Sequence, residues 1–341
     1  MRLALLRTLL VVSVSASAIA IAACSDDNAA NPAKPPVPVA DAGADSAPQG
    51  DSAVPPAATK DIVDTAVAAG SFKTLVAAVQ AAGLESTLRG AGPFTVLAPT
   101  DAAFSKLPGF LVTKLTTAPY KTELALVLKY HVVAGKVPAS AILGKKLEPA
   151  SVEGAKLDID GTGGKVVING NVTVTTPDVA ASNGIIHVID GVLLPSIVDT
   201  AVGYDDGTTK FKTLVAAVTA AGLAPTLSGP GTFTVFAPSD AAFAALKASL
   251  GDAAFNAILA DQTKLAKILK YHVLATTVYS PQVATSTPAT VEGSTLGITV
   301  AGGAVTLTDS TTTAANVVFT DIPNRNGVIH VIDKVLIPAG L

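Results

Sequence analysis

The 341-residue chain predicts an α+β fold built twice in tandem. Three observations predict it: apolar residues at helical spacing early in each repeat, alternating and β-branched segments late in each repeat, and the return of the whole pattern about 140 residues further on. Helices followed by strands, without strict alternation, imply an antiparallel or mixed sheet.

Phe72, Leu75, Val76 and Val79 lie at i, i+3, i+4 and i+7, which makes one apolar helical stripe, and Gly83 is placed to stop that helix. Phe94 to Ala98 reads as a buried strand ending at Pro99. Thr100 then N-caps a further helix whose first-turn Asp101 suits the positive end of the helix dipole. Another helix spans about Thr122 to Tyr130. Beyond it the period changes. Lys156 to Asp160 alternates, Lys165 to Ile168 and Val172 to Thr175 are β-rich, and Ile185 to Asp190 is a strand following a turn at Asn183-Gly184. Gly161-Thr162-Gly163-Gly164 reads as a hairpin turn.

The second copy repeats these segments closely. Ile62 to Val67 returns as Ile197 to Val202, Phe72 to Val79 as Phe211 to Val218, Tyr130-His131 as Tyr271-His272, and Ile186 to Asp190 as Ile329 to Asp333. Each unit is large enough for its own hydrophobic core, so these are two domains, residues 60–195 and 196–341, not a solenoid of short repeats. No flexible linker separates them near Pro195-Ser196, which predicts a restricted mutual angle.

The start of the chain has a different character. Arg2 and Arg7 precede an uncharged apolar run from Thr8 to Ala23, the order of an export signal over residues 1–24. The run is shorter than the roughly 20 residues a membrane-spanning helix needs. It ends in Ile21-Ala22-Ala23-Cys24, which resembles the bacterial lipobox and implies a lipid on Cys24, the only cysteine and therefore one with no intramolecular disulfide partner. Ser25 after it, in place of Asp, is compatible with outer-membrane sorting. Residues 25–59 are rich in Ala, Pro, Asp and Ser and poor in large apolar side chains, and are expected to form a disordered stalk. The expected location is the bacterial cell envelope, on the outer membrane or cell surface or in the periplasm.

Charged residues make up 14% of the chain, against roughly 25% in ordinary soluble proteins, and the formal net charge is −3. A mildly acidic chain without basic clusters argues against nucleic acid as a partner. The chain has no P-loop, no G-x-S-x-G elbow and no H-E-x-x-H helix. Its four histidines recur in pairs, His131 with His272 and His187 with His330, without the converging ligands that zinc needs or a carboxylate at catalytic spacing. They are expected to be satisfied by backbone groups or a tyrosine hydroxyl. Asp101 and Asp240 are explained by helix-start chemistry. No catalytic residue, cofactor or metal site is assigned.

The segment Phe94 to Phe104 and its copy Phe233 to Phe243, the two Tyr-His pairs, and the final Asn183 to Asp190 and Asn326 to Asp333 together resemble the three ordered signatures of the fasciclin domain, through both repeats. The resemblance implies a wedge of β-strands packed with helices, acting as an extracellular adhesion or interaction module without enzymatic activity. In animal members two regions are linked to integrin-dependent adhesion. They carry over onto Tyr130-His131 and Tyr271-His272, and onto Asp178-Val179 and Asp321-Ile322, with Val179 departing from the usual isoleucine. Asp beside proline is also ordinary turn chemistry. The implied partner is an extracellular protein, matrix or polysaccharide, with the membrane engaged only by the lipid. An alternative suggested by the aliphatic, charge-poor composition is a carrier or sensor of a small apolar ligand.

Overall fold

The computed structural model describes residues 58–117 and 119–341. The export signal, Cys24 and the predicted stalk up to residue 57 lie outside the described residues.

In the first repeat, Asp61 N-caps α1 (Ile62–Ala69) by accepting from the Asp64 backbone N–H. The predicted apolar stripe forms α2 (Lys73–Ala82), which Gly83 ends at φ 71°, a left-handed value that glycine reaches without a Cβ penalty. A single turn, α3 (Glu85–Leu88), leads into β1 (Phe94–Pro99). Thr100 caps α4 (Asp101–Phe104) as its position predicts, and α5 (Gly109–Leu115) and α6 (Lys121–Tyr130) follow. The remainder is β2 (Val132–Ala134), one turn of helix α7 (Ala139–Ile142), and five strands. These are β3 (Lys146–Leu147), β4 (Ile159–Asp160), β5 (Val167–Ile168), β6 (Val172–Ala181) and β7 (Gly184–Ile189).

The second repeat follows the same order. It runs through α8 (Ile197–Gly203), α9 (Lys212–Ala220), α10 (Ala224–Ser228) and β8 (Phe233–Pro238). The helices α11 (Asp240–Leu250), α12 (Asp252–Ala260) and α13 (Gln262–Tyr271) precede β9 (Val273–Leu274). The chain ends in β10 (Gly297–Ala301), β11 (Ala304–Thr308), β12 (Ala315–Asn324) and β13 (Gly327–Ile332).

Each repeat holds one mixed sheet. The order is β2-β1-β7-β6-β5-β4-β3 in the first and β9-β8-β13-β12-β11-β10 in the second. The one parallel pairing in each sheet joins the first strand to the last, β1 to β7 and β8 to β13, and all other pairs are antiparallel. This closeness explains the glycine that follows the asparagine of the last signature. A Cβ on Gly184 would lie 2.1 Å from the Phe94 carbonyl oxygen, and one on Gly327 2.0 Å from that of Phe233.

Two apolar clusters cover the two faces of each sheet. In the first repeat, Ile62, Leu75, Val79, Val96 and Leu128 form the helix-side cluster, and Leu97, Tyr130, Leu157, Ile168 and Ile189 form the other. The second repeat divides its core the same way. Both repeats belong to one compact unit. Among the described residues no single helix is long and apolar enough to cross a membrane.

Candidate interaction site

The long strands β6 and β12 are each broken by a bulge, and Asp178 and Asp321 sit in those bulges. Thr176 faces Val188 and Val179 faces Ile186, so three steps along β6 match two along β7. In the second repeat Phe319 faces Val331 and Ile322 faces Ile329. The extra residue takes a left-handed backbone, φ 56° at Asp178 and 65° at Asp321, a conformation that Asp tolerates better than most residues. The turn chemistry expected for these aspartates is therefore replaced by a bulge inside a strand.

The histidine of the last signature holds each bulge in place. Asp178 donates its backbone N–H to His187 Nδ1 at 3.2 Å, and His187 donates from Nε2 to the Val137 carbonyl at 2.9 Å. His330 does the same between Asp321 and Val278, at 3.3 and 2.9 Å. A bulge leaves one N–H without a ladder partner, and the imidazole accepts it. The carboxylate closes the circuit: Asp178 accepts from the Ala139 N–H at 3.0 Å, and Asp321 from the Ser280 N–H at 2.6 Å.

The two bulges differ in what lies outside them. Asp178 is exposed, whereas Asp321 is 0% and Ile322 2% exposed. What covers the second bulge is the first repeat. Lys114, on α5, places its ammonium 2.5 Å from Asp321 Oδ2 and 2.8 Å from Thr320 Oγ1, and 4.9 Å from the centre of the Tyr120 ring. Tyr120 packs on Phe319 with ring centres 4.5 Å apart, and Phe110 meets Tyr279 edge-on at 5.5 Å. Burial pushes the Asp321 carboxyl upward, but hydrogen bonds from Lys114 and Ser280 outweigh it and hold the pKa below the usual value. A further contact joins the repeats where Tyr204 donates to Glu123 Oε1 at 2.5 Å. Glu123 is buried, its other carboxylate oxygen has no partner, and burial raises its pKa.

The Tyr-His signatures are placed differently from the expectation. Tyr130, His131, Tyr271 and His272 are all buried, so a partner cannot touch these side chains without opening the core. His131 bonds through Nδ1 to the Val127 carbonyl at 2.7 Å and accepts from the Leu193 N–H at 2.9 Å. His272 repeats this with Ile268 and Leu336. Burial lowers the pKa of both to about 4, so both are neutral at pH 7. Tyr130 donates its hydroxyl to the Lys156 carbonyl, and Tyr271 donates to Thr295. The histidines tie the ends of α6 and α13 to the segments after β7 and β13, and the tyrosines tie them to the segments before β4 and β10. Their surroundings are set by packing. Asp321 and Ile322 are likewise unavailable: the first repeat covers Asp321 through Lys114, and Ile322 is part of the second repeat's own helix-side core.

Asp101 does more than its sequence position predicts. Its carboxylate accepts from the Lys73 and Thr74 N–H groups at 3.3 and 2.7 Å and so caps α2, which lacks a side-chain cap of its own. Asp240 serves Thr213 in the same way. Among the described residues no group of three His, Cys, Asp or Glu side chains is placed to hold a metal ion.

No sequence motif marks Lys114, Glu123, Tyr204, Tyr279 or Phe319. Their signal lay in the differences between the repeats: Phe319 corresponds to Thr176, Tyr279 to Pro138, and Lys264 stands where the first repeat has Glu123. An aromatic residue in one copy where the other has Thr or Pro marks a face that only one copy covers.

The Fasciclin domain matches at residues 70–195 and again at 209–338, which together make up well over half of the chain. The Synechocystis protein sll1735 is 50% identical over 135 residues, covering 39% of this chain and 97% of that protein. Human periostin is 29% identical over 254 residues, covering 73% of this chain but only 27% of periostin. A solved FAS1 domain pair from the insect cell adhesion molecule fasciclin I aligns with a TM-score of 0.37 at 17% identity, over 79% of this chain and 97% of that one.

Proposed function

This chain belongs to the fasciclin domain family, and from that premise we propose that it is an adhesion or interaction protein of the bacterial cell envelope, held there by a lipid on Cys24. The observation that carries the reading is the occupied bulge of the second repeat. There a bulged face presenting Asp321 receives a helix of another domain, which supports the same face as a docking surface for protein segments. The first repeat keeps the equivalent face open to solvent at Thr176, Pro177 and Asp178, with Val179 half-buried against the core beside them. Its partner is an extracellular protein, matrix or polysaccharide, and it binds at the first repeat while the second braces it.

The face carries Thr176 and Pro138 where the buried copy carries Phe319 and Tyr279. It is therefore suited to a partner held by hydrogen bonds and one charge contact, not to a wide apolar seal. Charge-poor surroundings add little long-range steering, so specificity rests on shape and local bonding.

Cells producing the wild-type chain, Asp178→Asn or Thr176→Glu, both at exposed positions of that face, are compared with a gene deletion for attachment to matrix, polysaccharide and other cells. Asp178→Asn keeps a residue tolerant of the left-handed backbone and removes only the charge. The reading expects both substitutions to lower attachment toward the level of the deletion. Equal attachment by all four strains on all three surfaces rejects it. The anchor is tested separately: Cys24→Ser should move the protein from the membrane to the soluble fraction, and an unmodified Cys24 peptide in mass spectra of the wild type rejects lipidation.

A further inference from the structure

The helix-side core of each repeat is incompletely filled at one corresponding place. In the first repeat a cavity of about 60 Å³ lies between α1, α2, α6 and the strands β1 and β2. In the second, a cavity of about 30 Å³ lies between α8, α9, α13 and the strands β8 and β9. Every residue lining the second corresponds to a residue lining the first, and apart from Leu97 and Phe236 the residue types are identical. Native interiors seldom keep voids larger than a water molecule, and here the same residue types at matched positions leave the same gap in both copies, the larger one in the first.

The wall offers water nothing to bond. It is built of Ile62, Ala66, Leu75, Val79, Leu128 and their neighbours. The one ionisable ring on it, His131, has both nitrogens engaged with Val127 and Leu193. An apolar cavity of this kind stays dry and takes apolar guests. Ala66 keeps it open, since a larger aliphatic side chain there would occupy the space. Gln80, Thr87 and Lys129, all exposed, form the rim together with Val152, an apolar side chain 43% exposed to solvent.

We propose that the first repeat binds the methyl end of an unbranched alkyl chain in this cavity, leaving a polar head at the rim. A cavity of roughly 150 Å³ accommodates benzene. The volume here is less than half of that, which favours a slender chain over a ring. Polar rim residues of both charge signs, Glu85 and Lys129, suit an amphiphile whose head remains in water. Free fatty acids and membrane lipids both supply such a chain. The site is separate from the Asp178 face, so either can fail without the other.

The test uses the full chain carrying Cys24→Ser, so that no acyl group of its own competes. Binding of 1-hexanol, 1-octanol, 1-decanol and decanoic acid is followed by methyl NMR. The cavity takes only about two or three terminal carbons, so affinity should already be level from 1-hexanol to 1-decanol, with ethanol, one methylene or more short of filling it, binding several-fold more weakly. Cross-relaxation should connect the terminal methyl of the ligand with the methyls of Val79 and Leu128. Ala66→Leu should weaken binding at least tenfold with an unchanged or higher melting temperature, while Ala201→Leu in the second repeat should leave the first site intact. If Ala66→Leu does not fold, the wild-type cross-relaxation pattern decides by itself. Phosphatidylglycerol vesicles that compete with decanol identify a lipid chain as the source, and vesicles that do not compete identify a free one. No saturable binding by any of the four ligands, or cross-relaxation only to methyls outside the cavity, overturns the proposal.

Discussion

Replacing Lys114 with methionine keeps the aliphatic stem beside Tyr120 and removes the ammonium that faces Asp321. The Asp321 side chain is 0% exposed and that of Lys114 22%, so the substitution strands a carboxylate that water cannot reach. Breaking a buried ion pair from one side costs about 3–5 kcal/mol in general. Here the Ser280 N–H and hydroxyl continue to donate to Asp321, which brings the expected loss to about 2–3 kcal/mol. Asp321→Asn preserves the bulge, because asparagine tolerates a left-handed backbone, and it leaves no buried charge when combined with Lys114→Met. The double variant should therefore be more stable than Lys114→Met alone, with a coupling energy of about 1.5 kcal/mol or more from urea denaturation of the four proteins. The folded pKa of Asp321 is depressed, so its contribution is present above the unfolded value near 4 and is lost as pH falls through the lower folded one. The penalty of Lys114→Met should accordingly shrink below about pH 4. A coupling energy under about 0.5 kcal/mol would refute the view that this pair fastens one repeat to the other.

Glu123 is buried with one orphaned oxygen, and its raised pKa means that its stabilising protonated form dominates at low pH and is lost as pH rises through the folded value. Glu123→Gln should stabilise by about 1 kcal/mol at pH 8 and lose that advantage near pH 4; a constant difference across the range contradicts this. His131 and His272 have pKa values lowered to about 4 by burial, against about 6.5 unfolded. Their neutral forms therefore support the fold above pH 6.5, and as pH falls their two protons should lower stability with a slope that peaks at about 2.7 kcal/mol per pH unit near about pH 5, between the two pKa values, and flattens toward pH 4. Urea midpoints that stay flat between pH 6.5 and 4.5 exclude buried neutral imidazoles. Asn183 accepts from the Ile62 N–H and donates to the Leu88 and Gly90 carbonyls, fixing the start of α1 and the end of α3. Asn183→Ala should cost about 2–3 kcal/mol, and a loss below 0.5 in thermal or urea unfolding shows that water replaces those bonds freely.

The elements and their duplication are written in local sequence. Apolar spacing placed α2 and α6, and Pro99 and Thr100 fixed where β1 stops and the next helix begins. These features are local: periodicity, capping and backbone restriction act over a few residues. The strand segments were legible, but their extents were not. The alternating stretch at Lys156 yields only the two-residue β4, while β6 runs on through Ala181, because pairing depends on a neighbour strand remote in sequence.

What a side chain touches was decided only in three dimensions. Asp178 and Asp321 occupy the same position in the repeat and make the same bonds to a histidine, yet one faces solvent and the other lies beneath Lys114. Tyr130 and His131, conspicuous as a sequence pair, are core residues, whereas Lys114 and Tyr279, which carry no motif, join the repeats. A repeated sequence specifies a repeated fold because both copies fill the same kind of core. It does not specify equal exposure, because each copy has a different neighbour, and burial follows from that neighbour.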